Sequence, residues 1–446
     1  MFQNYFQTIK FLESLDNLPN QITDDYQKSR RLNLKRFRYF LKLIGNPHRD
    51  FKYVHVGGTS GKGSTVSMIQ SVLTAAGYKT GAYFSPHPTT TIERIRINNH
   101  YISTKNFSAI IAGLSEPIKK VYLKTSYGRP SYFEILLAAA FLYFKKEKCD
   151  YVILEVGCGG EFDPTNIIQK PKFTIITNVN HDHTHILGKV LKKIAETKAG
   201  IIKPNSIFLT TETRPAILNI FRSVCRQKKA KFNQIKSATK LIKNDFDKAE
   251  FEFENEIYQL AMGGRHQLKN ALLAINLANK LGIKKSIIKK GLLAGRLPGR
   301  AEKIQSKPDV IIDIAHNDSK IKSLVNILKD LTEQRLFLII GITESKDSSR
   351  MLKKIIPLAD QVLLTRYQVS RRPAADLKKL ARQVKKISKN KLVPKFFLNP
   401  FAALDYALGQ AGKNDLIVIT GSTYLAGELR QRWIPEEKIV KSRKSF

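Results

Sequence analysis

Val54-His-Val-Gly-Gly-Thr-Ser-Gly-Lys-Gly-Ser-Thr65 decides how the chain is read. The short apolar entry at residues 53–56 predicts a buried strand, and the apolar spacing of 66–77 predicts an amphipathic helix closed by Gly77. Between them Gly57, Gly58, Gly61 and Gly63 let backbone amides turn inward toward a polyphosphate, with Lys62 as a mobile positive charge. Ser64 or Thr65 would add a hydroxyl for Mg²⁺ at the helix start, where unpaired amides also favour an anion. The generic phosphate loop runs Gly-Lys directly into Ser or Thr, and Gly63 interrupts that pattern here. The flanking strand and helix are the context such a loop requires, which favours it over a glycine-rich turn that binds nothing.

The seven residues from Gly58 to Ser64 resemble the Gly-Thr-Asn-Gly-Lys-Gly-Ser/Thr loop of folylpolyglutamate synthases and bacterial dihydrofolate synthases, a branch of the Mur-ligase superfamily; Ser60 stands in place of Asn. The resemblance implies an enzyme that uses ATP and Mg²⁺ to join L-glutamate to a folate or a dihydropteroate. It continues through separated motifs over roughly residues 50–430.

Composition agrees with an intracellular enzyme. At 446 residues the chain exceeds the size at which a single core stops growing, so two domains are expected. Three cysteines, Cys149, Cys158 and Cys225, do not make a disulfide framework and suit a reducing cytoplasm. No apolar run reaches bilayer length, and the first ten residues lack the basic-then-apolar order of a signal peptide. A cytoplasmic monomer with no membrane contact is expected. The net charge of +39 would attract nucleic acid non-specifically. Yet the basic runs at 189–203, 228–243, 284–290 and 379–391 are dispersed, which predicts solvated faces rather than a specific nucleic-acid site.

After the phosphate loop, residues 80–87 read as a second strand ending in a Ser85-Pro-His87 turn. Glu93-Arg-Ile-Arg-Ile-Asn98 resembles the family's Asn-Glu-Arg-Ile segment, with Ile92 where Asn is usual. In the family this turn and loop lie beside the pterin-bearing substrate, which makes Ser85, His87 and Arg94 candidates for binding or ordering it. As bare sequence, His87 and Arg94 read equally well as surface loop residues.

Residues 131–145 predict a long apolar helix, with Ser131 as N-cap and Glu134 three residues on. Tyr151-Val-Ile-Leu-Glu-Val-Gly157 is too continuously apolar for an exposed strand and suits the interior of a parallel sheet. A carboxylate buried at Glu155 requires a cation or a structural ion pair. It sits near the strand's C-terminal end, where α/β sheets place ligands, and the resemblance assigns it to Mg²⁺. Gly157-Cys-Gly-Gly-Glu-Phe-Asp-Pro-Thr-Asn166 resembles Gly-Leu-Gly-Gly-Arg-x-Asp-Ala-Thr-Asn of the family. It retains Asp163 on the substrate side, while Glu161 reverses the charge of the usual Arg.

The strand at 173–179 leads into Asn180-His-Asp-His-Thr-His-Ile-Leu-Gly188, whose histidines lack any standard structural zinc spacing. The resemblance selects His183 as a ligand of the divalent ion and leaves His181 and His185 as bystanders. Lys198, in Lys-Ala-Gly-Ile201, resembles the lysine that the superfamily commonly carries as a carbamate. The other reading is an unmodified, salt-bridging lysine. Residues 206–258 read as a strand, a helix over 214–228 and charged strands such as 251–257. Gly264-Arg-His-Gln-Leu-Lys-Asn-Ala271 resembles Gly-x-His-Gln-x-x-Asn-Ala, which implies Asn270 near adenine.

Leu297-Pro-Gly-Arg300 marks a junction between an ATP-binding domain, 1–298, and a smaller one, 299–446. Strands at 310–314, 336–340, 361–364, 392–398 and 415–419 alternate with helices beyond it. That alternation predicts a Rossmann-like domain without the dinucleotide fingerprint, so NAD is disfavoured. The fold class is therefore α/β: a P-loop nucleotide-binding domain with a parallel sheet, followed by a smaller Rossmann-like α/β domain. Asp313-Ile-Ala-His-Asn317 resembles Asp-Gly-Ala-His-Asn-Pro, whose Asp and His reach nucleotide ribose and phosphate. Gly421-Ser-Thr-Tyr-Leu-Ala-Gly-Glu428 closely resembles the family's Gly-Ser-x-Tyr-Leu-Ala-Gly-Glu, and the tail after Trp433 is expected to be loose.

The resemblance thus implies catalytic roles for Lys62, Lys198 and His316. It implies nucleotide contacts from Gly58, Thr59, Ser60, Gly61, Lys62, Gly63, Ser64, Thr65, Asn270, Arg300 and Asp313. Ser64, Glu155 and His183 would hold metal, and Ser85, His87, Arg94 and Asp163 would meet the acid substrate. Another Mur-type ligase and a basic nucleic-acid-binding ATPase are the competing readings; the Lys-Gly-Ser loop and Ser85-Pro-His87 favour the folate branch.

Overall fold

The computed structural model describes residues 4–16, 26–182, 187, 188, 190–236, 239–329, 334–368 and 372–446. The apolar run at its centre forms β1, Lys52–Gly57, as the sequence pattern requires. Around it lie β2, Thr80–Tyr83; β3, Ile95–Ile97; β4, His100–Tyr101; β5, Tyr151–Glu155; β6, Phe173–Ile176; β7, Ile207–Thr210; and β8, Lys231–Gln234. These build an eight-stranded sheet in the order β4-β3-β2-β5-β1-β6-β7-β8. Strand β1 pairs in parallel with β5 on one side and β6 on the other, so the chain reverses its winding direction at β1. The loops leaving β1, β2, β5 and β6 therefore emerge side by side, the place where an open α/β sheet binds ligands. The sheet is not purely parallel, since β3 and β4 run antiparallel at its edge.

Each face of this sheet is covered by helices whose apolar stripes supply the core. Tyr5–Asp16, Tyr26–Leu43, Thr104–Lys124 and Tyr132–Lys146 pack on one face. Ser131 caps the last of these in a full capping box with Glu134, as its spacing predicts, a feature worth about 1 kcal/mol. The Glu134 carboxylate also receives Arg36 Nε and Nη2 at 3.1 and 2.7 Å, which pairs a charge buried beneath the helices. Lys62–Ala75, Arg265–Lys280 and Lys285–Ala294 cover the other face. They are joined there by a small antiparallel sheet of β9, Lys240–Asn244; β10, Ala249–Phe253; and β11, Glu256–Leu260. The single strand expected at 251–257 is instead a hairpin, turning at Glu254 and Asn255, both of positive φ.

The second sheet is built from β12, Glu302–Gln305; β13, Asp309–Ile312; β14, Leu336–Ile340; β15, Gln361–Thr365; β16, Lys395–Phe397; and β17, Leu416–Thr420. Its order is β12-β13-β17-β14-β15-β16. All neighbours are parallel except β12, a short charged edge strand that the alternating pattern did not signal. The strand expected at 392–398 is confined to Lys395–Phe397.

The tail is not loose. Helix Glu436–Ser442 returns to the first unit and buries Ile439 in the core under the N-terminal helices. Tyr101 and Arg443 then exchange contacts, from the Tyr101 amide to the Arg443 carbonyl at 2.9 Å and from Arg443 Nε to the Tyr101 carbonyl at 2.7 Å. Ser445 Oγ donates to Glu93 at 2.7 Å, and its carbonyl accepts from the fully buried Arg430 at 2.6 Å. Apolar spacing at Ile434, Ile439 and Val440, hidden among charges, carries this docking.

Candidate active site

The phosphate loop is held largely from the residues that follow its neighbour β6. Asn178 receives the Thr59 amide on its carbonyl at 3.0 Å and the Ser60 amide on its side chain at 3.1 Å. Thr177 Oγ1 donates to the Ser60 carbonyl at 2.6 Å. Ser60 Oγ, by contrast, is buried without a protein partner. Gly61 caps the helix with φ of 81°, a left-handed conformation that favours glycine, so the helix begins at Lys62 and not at 66. A Cβ on Gly63 would lie 2.9 Å from Leu297, 3.3 Å from Glu155 Oε2 and 3.5 Å from Arg300 Nη2. The residue that breaks the generic pattern therefore makes room for the β5 carboxylate and for the segment that leads into the second unit.

Five cationic side chains converge around this loop. Lys198 is buried, with Nζ 3.0 Å from the Gly58 carbonyl. Burial first, and then the charge of Lys62, lower its ammonium to about 7. Lys320 is likewise lowered to about 7 by its enclosed position and by Arg300 and Lys62. Lys346 pairs with Asp182 at 3.0 Å. Burial raises the Glu155 carboxyl against the pull of Lys62, the Ser85 amide, Arg300 and Lys320. Burial also raises Asp313, opposed by Arg300, although both its oxygens accept backbone amides, from Ala301 at 2.8 Å and Ala315 at 2.7 Å. Lys62, Lys198, Arg300, Lys320 and Lys346 thus face Glu155, Asp182 and Asp313, a surplus of positive charge suited to a polyphosphate.

The second unit supplies half of this arrangement. Asn317 caps helix Asp318–Leu328 with its side-chain oxygen and donates through Nδ2 to Asp182 at 2.8 Å. His316 lies with Nδ1 2.9 Å from the Ile314 carbonyl and Nε2 3.0 Å from Lys320 Nζ. Burial and the Lys320 charge hold its imidazole neutral, well below the usual histidine range. Nδ1 therefore carries the proton, and Nε2 accepts from Lys320.

The expected acid-substrate residues form a second cluster at the ends of β2 and β5. Arg94 Nε donates to His87 Nδ1 at 2.9 Å, Nη1 reaches Ser85 Oγ at 3.4 Å, and the guanidinium lies over the Tyr132 ring at 5.6 Å. His87 is neutral, since burial and then Arg94 disfavour its cation, and its accepting Nδ1 leaves the Nε2 proton as a donor. Ser85 also joins the two clusters, because its amide donates to Glu155 Oε2 at 3.0 Å. Asp163 is engaged within its own loop. Its oxygens accept the Cys158 amide at 2.8 Å and the Thr165 amide and hydroxyl at 3.0 and 2.5 Å, which ties the glycine-rich loop after β5 into place.

Other expected residues are placed as follows. Thr59 Oγ1 bridges to the backbone of Asn180 at 3.1 and 2.9 Å. Ser64 and Thr65 are buried at the helix start, and Thr65 Oγ1 has no protein partner. Asn270 meets the loop itself, with Oδ1 2.3 Å from where a Cβ on Gly61 would lie. Glu161, the charge reversal, is exposed, and its backbone amide pairs with the Thr197 carbonyl at 2.8 Å. His183 lies outside the described residues. Among those described, no three His, Cys, Asp or Glu side chains group as metal ligands. Sequence reading missed Lys320 and Lys346, two of 76 Lys and Arg residues, and no local pattern sets them apart.

The Ser85–His87–Arg94 cluster is tied to the second unit by a close contact. A Cβ on Gly427, in helix Thr423–Arg430, would lie 1.7 Å from the carbonyl oxygen of Pro88. Gly427, in the 421–428 motif, is therefore where the turn carrying His87 rests on the second unit.

Comparison with known proteins covers both units. Residues 56–278 match the Mur ligase middle domain, and residues 299–423 match the glutamate ligase domain of Mur ligases. The chain is 32% identical to the dihydrofolate synthase/folylpolyglutamate synthase of Bacillus subtilis over 414 residues, covering 90% of this chain and 94% of that protein. The Mycobacterium tuberculosis folylpolyglutamate synthase complexed with ADP superposes with a TM-score of 0.86 at 25% identity, over 97% of this chain and 99% of that one. The Escherichia coli FolC complex with DHPP and ADP superposes at 0.77, also at 25% identity, over 98% of each chain.

Proposed function

As a member of the Mur ligase family, in its folylpolyglutamate synthase and dihydrofolate synthase branch, the chain is, we propose, built to close its two α/β units over ATP during glutamate ligation. It is an ATP-dependent acid–amino-acid ligase that joins L-glutamate to a folate or a dihydropteroate. The observation that carries this reading is the convergence of Lys62, Lys198, Arg300 and Lys320, drawn from both units, on one glycine-rich loop beside the Ser85–His87–Arg94 cluster.

In this reaction a carboxylate oxygen of the acid substrate attacks the terminal phosphorus of ATP, the bond to ADP breaks, and an acyl phosphate forms. The uncharged amine of glutamate then attacks the acyl carbon, phosphate leaves with the bonding pair, and the amine gives up its proton. Lys62 and Arg300 balance the charge that moves between phosphorus and ADP, the work of preorganised cations in a water-poor cleft. Arg94 and the Nε2 proton of His87 address the acid substrate, while Asp163 positions the loop beside it. Asn270 and Asp313 are assigned to the nucleotide and His316 to its phosphate end, the division between units falling at 298/299.

Glu155 and Ser64 fit a divalent ion. They are oxygen donors at one helix start, and a buried carboxylate whose charge is disfavoured gains most from a cation. Mg²⁺ bound there would neutralise polyphosphate charge, with His183 as the further ligand assigned to it. Lys198 is assigned a carbamate: its amine, lowered to about 7, has a substantial uncharged fraction at neutral pH that can bond to the carbon of CO₂ with release of a proton. The enzyme is taken to work as a cytoplasmic monomer.

The test supplies ATP, Mg²⁺ and glutamate with dihydropteroate and with a reduced folate in separate reactions. A product heavier by one glutamate residue, with matching glutamate-dependent release of ADP, is expected for at least one acid. ADP release that ignores both acids would overturn the reading.

A further inference from the structure

We propose that Lys320 is a catalytic residue of this reaction, a phosphate-binding cation carried by the second unit and aimed by His316 at the terminal phosphoryl group, across the cleft from Lys62. The proposal rests on the ligase reading above, and the geometry leads to it in three steps.

First, Lys320 is held in place. Its backbone amide donates to the Asn317 cap at 2.9 Å, while the other end of that cap reaches Asp182 in the first unit. The Nζ atom is fixed at 3.0 Å from His316 Nε2, whose opposite nitrogen is anchored on the Ile314 carbonyl. A long, flexible side chain is thereby aimed by a rigid imidazole, and the cost of ordering it has been met before any ligand arrives.

Second, its charge is uncompensated. An ammonium has three donors, and His316 takes one. Among the described residues no carboxylate forms a salt bridge with Lys320, and Asp182, the acid whose charge it feels, is engaged by Lys346 and Asn317. Arg300 and Lys62 add repulsion, which is why the ammonium is weakened to about 7. An ammonium with two spare donors among other cations holds its proton more firmly when an anion joins them, and the triphosphate is the anion that this cleft receives.

Third, its position separates it from a general nucleotide contact. Lys320 acts electrostatically on Glu155, the carboxylate assigned to Mg²⁺, and on Asp313. The metal end of the site is where the terminal phosphoryl is transferred. Because Lys320 belongs to the second unit, its contact forms only when the units are together, so the chemistry is available only in the closed molecule.

Lys320→Met keeps the aliphatic stem and removes the charge, and Lys320→Gln keeps a neutral donor on a stem one bond shorter. Titration calorimetry with ADP and with the β,γ-methylene analogue of ATP compares the two nucleotides on each variant. We expect ADP affinity within about twofold of wild type, a loss of about tenfold or more for the ATP analogue, and a fall in kcat of about 10²-fold, the scale for losing one preorganised donor to a transition state. In Lys320→Ala, ethylammonium added in solution should return part of the lost kcat, which a merely structural lysine would not show. Equal losses for ADP and the analogue, or unchanged analogue affinity in both charge-removing variants, would overturn the role. The calorimetry does not depend on the acid substrate. Failure of the wild type to ligate glutamate would count against the ligase reading, whereas loss of analogue preference is read separately.

Discussion

Gly427→Ala adds a single methyl group, and the structure says where it must go. The new Cβ would stand 1.7 Å from the Pro88 oxygen and 2.5 Å from its carbonyl carbon, whereas real Cβ contacts are not found below 3.0 Å. The helix and the turn must therefore separate by at least 1.3 Å, the difference between 3.0 and 1.7 Å, and the obstacle is backbone that cannot rotate aside. Overpacking of this kind costs about 1–3 kcal/mol. The loss should reach function as well as stability, because Pro88 is flanked by His87 and by Thr89 and Thr90, whose amides both bind Glu93 at 2.7 and 2.9 Å. Displacing a substrate-positioning group by 1 Å costs about 10²-fold in rate. We expect kcat/KM for the acid substrate to fall by about 10- to 100-fold, with the far-ultraviolet circular dichroism of wild type. ADP affinity should be unchanged, since the phosphate loop is held by Thr177 and Asn178. Steady-state kinetics in the acid substrate and calorimetry with ADP make the measurement. Wild-type kcat/KM in Gly427→Ala, with an unaltered melting temperature, would refute the claim that this contact positions the turn.

Lys62→Ala should lower ligation by about 10²-fold or more with little change in melting temperature, because a half-buried lysine in the first turn of the helix has little packing to lose; near-normal turnover at saturating ATP would exclude a phosphate role. Glu155→Gln should move the Mg²⁺ titration of activity to higher concentration, and an unshifted titration would remove Glu155 from the metal site even if the maximal rate fell. Lys198→Ala should be inactive and partly restored by acetate, while wild type prepared with ¹³C-bicarbonate should show a carbamate signal. Since CO₂ bonds only to the uncharged amine and its folded value is lowered to about 7, that signal should grow as pH rises through 7 and fade below it. A constant signal from pH 6 to 8, or full activity after CO₂ removal, would leave Lys198 unmodified.

Local chemistry made much of the first unit legible. The Ser131–Glu134 capping box, the strand bearing Glu155 and the glycine-rich loop are each specified within a few residues, and each stands where the pattern places it. Grouping Ser85, His87 and Arg94 needed only the seven- and nine-residue spans between them, closed by one turn. What was illegible depends on distant partners. Gly63 reads as a pattern error until Leu297 and Arg300, over two hundred residues away in sequence, are packed against it. Asp163 read as a substrate contact, and the ties of its oxygens to Cys158 and Thr165 in its own loop were not foreseen. Lys320 and the docked tail were lost in the basic background: charged residues dominate the local composition, while one histidine neighbour and one buried isoleucine decide the outcome.

The returning tail gives the molecule a mechanical property that neither sheet has alone. The chain crosses between the units at Leu297–Arg300 and crosses back beyond Trp433, where Ile439, Arg443 and Ser445 fasten to the first unit. Two bodies joined by one strand can swing and twist in any direction, whereas two separate attachments leave only rotation about the line between them. Any rotation between the units then follows a single coordinate, like a door on two hinges, and carries Lys320 and Lys346 along one arc relative to the phosphate loop.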